Sequence, residues 1–145
     1  MEAIESFSGQ YRFLSNFWPA VVIFEDIAYP SVECAYQASK SESVDIRFPF
    51  TMMTAYEAKK NGKRIALRQD WDTVKDDIMY ALLVEKFKNP DLRGKLLMTE
   101  ENLLVEGNTW GDTYWGVCRG VGKNRLGLLL MKVRQELQND KQDNV

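Results

Sequence analysis

The sequence of 145 residues contains no histidine and only two cysteines, and these absences exclude several kinds of catalytic site. Without histidine, the chain cannot form a Ser-His-Asp or Cys-His nucleophile, or a zinc or non-haem iron site that needs a histidine ligand. Cys34 and Cys118 are too few for a four-thiolate metal site or a disulfide framework. Any general acid or base must therefore be a carboxylate, a lysine, a tyrosine, a cysteine or water.

Long apolar segments and an excess of one charge are also absent. The longest apolar runs, Ala20–Phe24 and Leu128–Met131, are far shorter than the ~18 residues of a membrane span. The N-terminus carries Glu2 and Glu5 and has no secretory-signal pattern. A formal net charge of −2 gives no reason to expect tight, sequence-independent binding to DNA. We expect a cytoplasmic protein with reduced thiols and no membrane association.

The length and the composition fit one globular domain. A chain of 145 residues matches the usual size of a single domain, and a hydrophobic content of 45% argues against intrinsic disorder. We predict a compact single domain over residues 1–138, followed by a polar tail over residues 139–145 that frays.

Local patterns predict a mainly α fold, of α+β type, with a small β element near the N-terminus. The β-branched run Ala20–Phe24, the turn Glu25-Asp26 and the segment Ile27–Tyr29 are typical of two short strands. A helix begins at Pro30-Ser31. Other helices are predicted from the Thr54–Glu57 capping box to an αL stop at Asn61-Gly62, from about Asp72 to Asn89-Pro90, over Asp91–Met98, and after a capping Asn124.

Chemistry is most evident in the helix that follows Ser31. Glu33, Gln37 and Lys40 are spaced i, i+4 and i+7 and form one narrow stripe, whereas the rest of the helix surface is small or apolar. This pattern indicates a buried helix whose polar line faces a pocket; the alternative is a partly exposed helix with a surface ladder. A buried lysine beside a buried glutamate can act as a proton donor, a proton acceptor or a nucleophile.

A second concentration of polar and aromatic residues spans Glu106–Gly116. This segment has two carboxylates, Glu106 and Asp112, together with Trp110, Tyr114 and Trp115 and three glycines. Glycine lets a backbone approach a ligand closely, aromatic faces stack on flat rings, and carboxylates hold ribose hydroxyls or move protons. The alternative is a glycine-rich turn whose aromatic side chains fill the core.

Three further motifs have weaker functional meaning. The loop around Asn16 is rich in aromatic residues and fills the core, although the Asn16 amide can bind a base or a hydroxyl. Gly120-Val121-Gly122-Lys123 lacks the spacing and the preceding strand of a phosphate-binding P-loop. The basic run Lys59–Arg64 is typical of a solvated helix end, with phosphate or nucleic-acid contact as the alternative.

Taken in order, several motifs resemble those of a known family. The sequence resembles the NADAR family, and within it the YbiA-like N-glycosidases of the riboflavin pathway, from about Phe7 to Arg134. The motifs are Phe13-Leu14-Ser15-Asn16-Phe17, the Ser31–Lys40 helix, Trp71, Lys86-Phe87, Leu103 with Glu106, Asp112 with Trp115-Gly116, and Gly122–Arg134.

The resemblance implies a compact, mostly helical N-glycosidase that cleaves phosphorylated ribosylamino-pyrimidine intermediates of riboflavin biosynthesis. Other members of the family remove ADP-ribose from guanine bases in nucleic acid, which is the alternative and the only one with a nucleic-acid partner. The family's catalytic positions correspond here to Glu33, Lys40, Glu106 and Asp112. The substrate-binding positions correspond to Asn16, Gln37, Trp71 and Trp115.

The chemistry of a ribosyl C–N bond agrees with these residue types. Cleavage needs an acid for the departing base, a negative or nucleophilic group at the anomeric carbon, and an aromatic surface for the flat leaving group. Lysine, carboxylates and tryptophan supply all three without a metal or another cofactor. Two hypotheses from other classes stay open at this point: a non-catalytic module that binds ADP-ribose or a nucleotide, and a structural helical domain whose polar stripe is solvated.

Overall fold

A computed structural model describes residues 2–143 as a mainly helical fold with three small sheets, so the predicted fold class is confirmed. The strands are β1 (Ala3–Ile4), β2 (Pro19–Phe24), β3 (Ile27–Ser31), β4 (Leu103–Leu104), β5 (Gly107–Asn108) and β6 (Val117–Cys118). The α-helices are α1 (Val32–Ala38), α2 (Val44–Arg47), α3 (Ala55–Gly62), α4 (Trp71–Lys86), α5 (Pro90–Leu97) and α6 (Arg125–Asp143). Two 3₁₀ helices span Gly9–Leu14 and Phe48–Met52.

The contacts divide the chain into two units. The central unit comprises residues 16–86, and the terminal unit combines the residues up to 15 with those from 87 onward. In the central unit, α1 packs against the β2–β3 hairpin, α3 and α4. In the terminal unit, β1 pairs with β4, β5 pairs with β6, and α6 packs against α5 and β4.

The predicted hairpin is confirmed. Strands β2 and β3 are antiparallel, with Val22 opposite Tyr29, and both of these side chains are buried. The two turn residues, Glu25 and Asp26, have φ angles of 46° and 69°. Positive φ at both positions suits the right-handed twist of a two-residue hairpin, and acidic residues tolerate it better than β-branched ones.

Helix α1 begins where the sequence predicts, but it ends at Ala38, so Lys40 lies beyond the helix on which the sequence placed it. The Ser31 hydroxyl accepts a hydrogen bond from the backbone N–H of Cys34 at 3.1 Å and so caps the first turn. All seven residues of α1 are buried, in agreement with its small and apolar composition. A helix without an exposed face must place its polar side chains against protein or a ligand rather than bulk water.

Helix α3 confirms one prediction and corrects another. The capping box between Thr54 and Glu57 is present in both directions. The predicted αL stop at Asn61-Gly62 is wrong, because the C-capping residue is Lys63 with a right-handed φ of −68°. Gly62 has a different role, since a Cβ atom at this position would overlap the carboxamide oxygen of Gln37. Its missing side chain allows α1 and α3 to approach.

The terminal unit has a core of leucines from α5, β4 and α6. Leu92, Leu96, Leu104 and Leu130 are buried. Helix α6 continues into the predicted polar tail as far as Asp143; residues 144–145 lie outside the described residues.

Asn124 precedes α6 as predicted, but its side chain does not act as a cap. It accepts a hydrogen bond from the Glu106 N–H at 2.9 Å and donates one to the Leu104 carbonyl at 2.9 Å. Its backbone carbonyl accepts the N–H of Leu128 at the start of the helix. The amide thus ties the beginning of α6 to the chain around β4, because two long-range backbone groups compete successfully for it.

Candidate active site

The first cluster of predicted site residues lies in the central unit, along α1. Glu33 and Gln37 are 7% and 6% exposed, so the predicted burial of the polar stripe is confirmed for both, and a surface ladder is excluded. Gln37 Nε2 donates a hydrogen bond of 2.8 Å to Glu33 Oε1. This hydrogen bond replaces one that the buried carboxylate would otherwise make to water.

Lys40 follows the end of α1 and is partly buried. Burial lowers the pKa of its ammonium group below the usual value; the attraction of Glu33 opposes this shift and the like charge of Lys63 adds to it. At a given pH, a larger fraction of Lys40 is therefore in the neutral amine form than for an exposed lysine. A neutral amine can attack a carbonyl carbon or accept a proton, and the ammonium form can donate one.

Glu33 and Lys40 do not form a direct ion pair. Within residues 2–143, no carboxylate oxygen lies within 4.0 Å of the Lys40 Nζ atom, and Glu33 is instead bonded to Gln37. The reason is geometric, since Gln37 lies one helical turn from Glu33 within α1, whereas Lys40 lies beyond the end of the helix at Ala38. Glu33 acts on Lys40 through its charge rather than through an ion pair.

Backbone and aromatic contacts hold Lys40 in place. Its carbonyl accepts a hydrogen bond of 2.8 Å from the N–H of Arg68, and its own N–H donates to the Gln37 carbonyl at 3.3 Å. The ammonium lies 5.8 Å from the centroid of the Tyr36 ring, within the range of a cation–π contact. Hydrogen bonds therefore hold the backbone of Lys40 at both its N–H group and its carbonyl group.

Two aromatic rings stand beside this lysine. The rings of Tyr36 and Trp71 have centroids 5.3 Å apart and planes tilted by 51°. Trp71 is 6% exposed, so little of its ring surface is accessible to solvent. A role for Trp71 in stacking on the substrate stays a prediction, and Tyr36 is an aromatic neighbour of Lys40 that the sequence analysis missed.

Asn16 joins the cluster through its backbone. Its carbonyl accepts the N–H of Glu33 at 3.1 Å, and its side-chain amide points to the sulfur of Met79 at 3.6 Å. Within residues 2–143, Asn16 Oδ1 and Gln37 Oε1 are buried acceptors without a hydrogen-bond partner. Such atoms are costly in a core and are more frequent where function requires them.

The contact between Gln37 and Gly62 leads to a specific prediction. We expect Gly62→Ala to lower kcat/KM by about 10- to 100-fold, because the new methyl group displaces the Gln37 amide from Glu33 and small displacements at a site have effects of this size. The melting temperature should change little, since alanine favours the helix by about 1 kcal/mol over glycine and offsets the crowding.

The matched control for this variant is Gly94→Ala in α5. A Cβ atom at Gly94 meets nothing within 4 Å, so the same chemical change should leave the activity unaltered. Thermal unfolding and steady-state kinetics of both variants test the prediction. Equal activity of Gly62→Ala and Gly94→Ala would show that catalysis does not depend on the position of the Gln37 amide.

The second cluster lies in the terminal unit and is organised by Asn108, which the sequence analysis missed. The Asn108 amide donates hydrogen bonds to Glu106 Oε2 at 3.0 Å and to the Asp112 carbonyl at 2.9 Å, and its oxygen accepts the Asp112 N–H at 3.1 Å. Asn108 is buried, so one side chain links the carboxylate of Glu106 to the backbone of Asp112.

Asp112 is held by the loop that follows it. Its Oδ1 atom accepts the backbone N–H groups of Tyr114 at 3.1 Å and Trp115 at 2.9 Å. The rings of Tyr114 and Trp115 meet edge to face, with centroids 4.9 Å apart. The carboxylate thus orders the glycine-rich turn whatever else it does, and the stacking of Trp115 on a ligand stays a prediction.

A buried lysine at the end of α4 was also missed as a titratable group. Lys86 is 1% exposed, and burial lowers its pKa to about 7. The signal was present in the sequence, because Lys86 continues the buried row of Ile78 and Leu82 at a spacing of four residues. The helical period alone therefore places Lys86 on the buried face of α4, together with the apolar residues before it.

By residue type, the two cysteines and the acidic residues are possible nucleophiles and metal ligands. Both cysteines are free thiols, and burial raises the pKa of Cys34, which makes its thiolate less available. Within residues 2–143, no three cysteine, aspartate or glutamate side chains are grouped so that they could hold a metal ion. None of the helices described is both long and apolar enough to cross a membrane.

Comparison with known proteins gives one family match and several close relatives. Residues 5–138 match the NADAR domain. The N-glycosidase Npun_R5314 of Nostoc punctiforme is 37% identical over 137 residues, which are 89% of this chain and 87% of that protein. The Riboflavin biosynthesis protein VVA0006 of Vibrio vulnificus is 34% identical over 88% of this chain, but only 36% of that protein is covered.

A solved structure extends the similarity to three dimensions. The N-glycosidase YbiA of Escherichia coli is 37% identical over 144 residues, which are 94% of this chain and 88% of that protein. The NMR structure of E. coli YbiA superposes with a TM-score of 0.85 and 33% identity, covering 97% of this chain and 89% of that one.

Proposed function

Because the chain belongs to the NADAR family and is an N-glycosidase of that family, we propose that it hydrolyses the C–N ribosyl bond of phosphorylated ribosylamino-pyrimidine intermediates of riboflavin biosynthesis. The relatives named as riboflavin biosynthesis proteins, in V. vulnificus and in Zea mays, support this substrate class. The substrate is a small molecule, and no membrane or cofactor takes part in the proposal.

The observation that carries the proposal is the buried line of Glu33 and Gln37 that leads to Lys40. A helix with every residue buried has its polar side chains bonded to each other, and a lysine with a lowered pKa stands at its end. A merely structural helix gains nothing from a partly desolvated amine, whereas cleavage of an N-ribosyl bond needs such a group.

We assign the roles as follows. Lys40 acts at the sugar, either as an amine nucleophile that forms a transient Schiff base with the opened ring or as a cation that stabilises the leaving group. Glu33 supplies the negative charge that balances positive charge on the sugar in the transition state, and Gln37 orients Glu33 through the 2.8 Å hydrogen bond. Trp71 supports the aromatic surface for the leaving base. In the overall reaction the C–N bond breaks, a hydroxyl group from water forms the new C–O bond at the anomeric carbon, and the remaining proton of that water goes to the departing nitrogen.

Substrate release distinguishes this proposal from its alternative. The purified protein is incubated with a phosphorylated ribosylamino-pyrimidine, and chromatography should detect the free pyrimidine and ribose 5-phosphate in equal amounts. A parallel incubation uses DNA or RNA with ADP-ribosylated guanine and follows the restoration of guanine. Turnover of the second substrate alone would show that the enzyme removes ADP-ribose from nucleic acid instead. Binding of ADP-ribose without turnover of either substrate would contradict both.

The assignments of Glu106, Asp112 and Trp115 rest on the resemblance, and Asp112→Asn tests the carboxylate directly. The amide retains an Oδ1 atom for the N–H groups of Tyr114 and Trp115, so the loop should fold as before while the charge is lost. If Asp112 stabilises positive charge in the transition state, kcat falls by about 100-fold or more and KM changes little.

Asp112→Ala is the companion variant, because it removes both the charge and the acceptor. Steady-state kinetics and thermal unfolding are measured for the two variants together. A wild-type kcat in Asp112→Asn would leave Asp112 with a structural role only, and Glu106→Gln would then be the carboxylate variant to compare.

A further inference from the structure

Two cations at the end of α3 stand without ionic partners. Within residues 2–143, no carboxylate pairs with the ammonium of Lys63 or the guanidinium of Arg64, and both side chains are exposed. Other arginines of the central unit differ in this respect. Arg68 pairs with Glu42 at 3.0 Å and Asp70 at 2.6 Å, and the buried Arg47 pairs with Glu25 at 3.2 Å.

The two cations directly follow the point at which α3 meets the polar line of α1. Gly62, which directly precedes them, contacts the Gln37 carboxamide so closely that it must lack a side chain. The charged groups that act on Lys40 are Glu33 from α1 and Lys63 from the end of α3. The positive charge of Lys63 therefore acts on the amine of Lys40, where the proposed function places the sugar.

We propose that Lys63 and Arg64 bind the 5′-phosphate of the substrate and make the enzyme select phosphorylated N-ribosyl compounds over their unphosphorylated counterparts. The inference rests on the proposed function in one respect, namely that the anomeric carbon of the ribose is placed at Lys40. The 5′-phosphate then extends from the far end of the same ring, and the exposed cations after α3 are available to receive it.

The physical chemistry of the two side chains suits this role. A guanidinium offers a planar fork of donors that matches phosphate oxygens, and an ammonium acts as a compact point charge. Two adjacent like charges without a counter-ion in the described residues repel each other, and the charge of Lys63 also opposes the ammonium form of Lys40. A bound phosphate dianion relieves both repulsions, so substrate binding and the state of the catalytic amine become linked.

The test compares one substrate in its phosphorylated and dephosphorylated forms. We expect Lys63→Gln to lower kcat/KM for the phosphorylated form by about 10- to 100-fold, the scale of one lost charge-assisted hydrogen bond, and to leave kcat/KM for the dephosphorylated form within about twofold. Arg64→Gln should act in the same direction. The control is Lys60→Gln, which removes an exposed cation of α3 that precedes the Gly62 contact with Gln37.

An unchanged ratio between the two substrate forms in Lys63→Gln and Arg64→Gln would overturn the inference. An equal loss for both forms would overturn it too, since the residues would then serve catalysis rather than phosphate recognition. Inorganic phosphate gives a measurement that does not need turnover. Phosphorus NMR titration should show binding to the wild type and to Lys60→Gln and weaker binding to Lys63→Gln; wild type without phosphate binding contradicts the site even if turnover is observed.

A failure of the proposed function gives a different result. If the wild type cleaves neither substrate form, the proposed reaction is wrong. The titration still decides independently whether phosphate binds in a way that depends on Lys63. The same titration with ribose 5-phosphate and with ADP-ribose distinguishes a monophosphate site from a diphosphate site.

Discussion

Replacement of Lys40 by alanine should lower kcat/KM by at least about 100-fold in a protein that folds normally. The amine is partly buried, has a lowered pKa and lies at the end of the Glu33–Gln37 line. Loss of one acid–base or covalent group typically has an effect of this size. Lys40 makes no ion pair within the described residues, so its removal leaves no carboxylate without a direct partner, and the melting temperature should be nearly unchanged.

The matched control is Lys60→Ala, because Lys60 is an exposed lysine of α3 to which no catalytic role is assigned. Initial rates with the phosphorylated substrate and thermal unfolding are measured for both variants. Near-normal activity of a folded Lys40→Ala variant would remove Lys40 from the catalytic set. Borohydride trapping of a protein–sugar adduct separates the nucleophile from the cation, since only the former forms a reducible Schiff base.

The pH dependence of the wild-type reaction distinguishes the two roles of Lys40 by its sign. Burial and Lys63 lower the pKa of this amine below 10.5. A nucleophile must be neutral, so the rate should rise with pH through that lowered pKa and level off above it. A cation must be protonated, so the rate should fall over the same interval.

The second large effect is expected at Gly116, on stability rather than on chemistry. A Cβ atom there would overlap the backbone carbonyl and the carboxylate of Glu106 and would also crowd the Asn108 amide at 2.7 Å. The carboxylate can move, but the Glu106 carbonyl accepts the N–H of Val117 at 2.9 Å and belongs to the β5–β6 connection. We expect Gly116→Ala to lower the free energy of unfolding by about 3 kcal/mol, the upper range for added volume in a packed region.

Gly111→Ala is the control in the same loop. Gly111 has a φ of +87° and a Cβ atom there meets nothing within 4 Å, so this variant carries only the cost of a left-handed backbone, about 1–2 kcal/mol. Denaturant unfolding of both variants gives the two free energies. A loss at Gly116 no larger than that at Gly111 would mean that the loop relaxes around the new methyl group.

The features that the sequence predicted correctly are those that depend on residues a few positions apart. The Thr54–Glu57 capping box, the Ser31 cap and the turn at Glu25-Asp26 are confirmed because each is set by backbone geometry and hydrogen bonds within one turn. The buried stripe of α1 followed from the same local logic. Its lack of an exposed face is visible in the composition of seven consecutive residues.

The predictions that failed concern partners distant along the chain. Gly62 has the composition of a helix stop but is a point of close approach to Gln37, and Asn124 has the composition of a cap but bonds to the chain around β4. In both cases a local preference competes with a long-range contact, and the long-range contact prevails because it satisfies or accommodates a buried polar group.

The sequence by itself determined the class of chemistry. The absence of histidine left lysine and carboxylates among the available groups, and the sequence places Glu33 and Lys40 close along the chain with Gln37 between them. Only the tertiary structure decided which groups meet. It bonds Glu33 to Gln37 instead of Lys40, links Glu106 to Asp112 through Asn108, and brings the charge of Lys63 to Lys40. Hydrogen bonds and charges act over a few ångströms in space, and a spacing along the chain fixes those distances only within a single helix or turn.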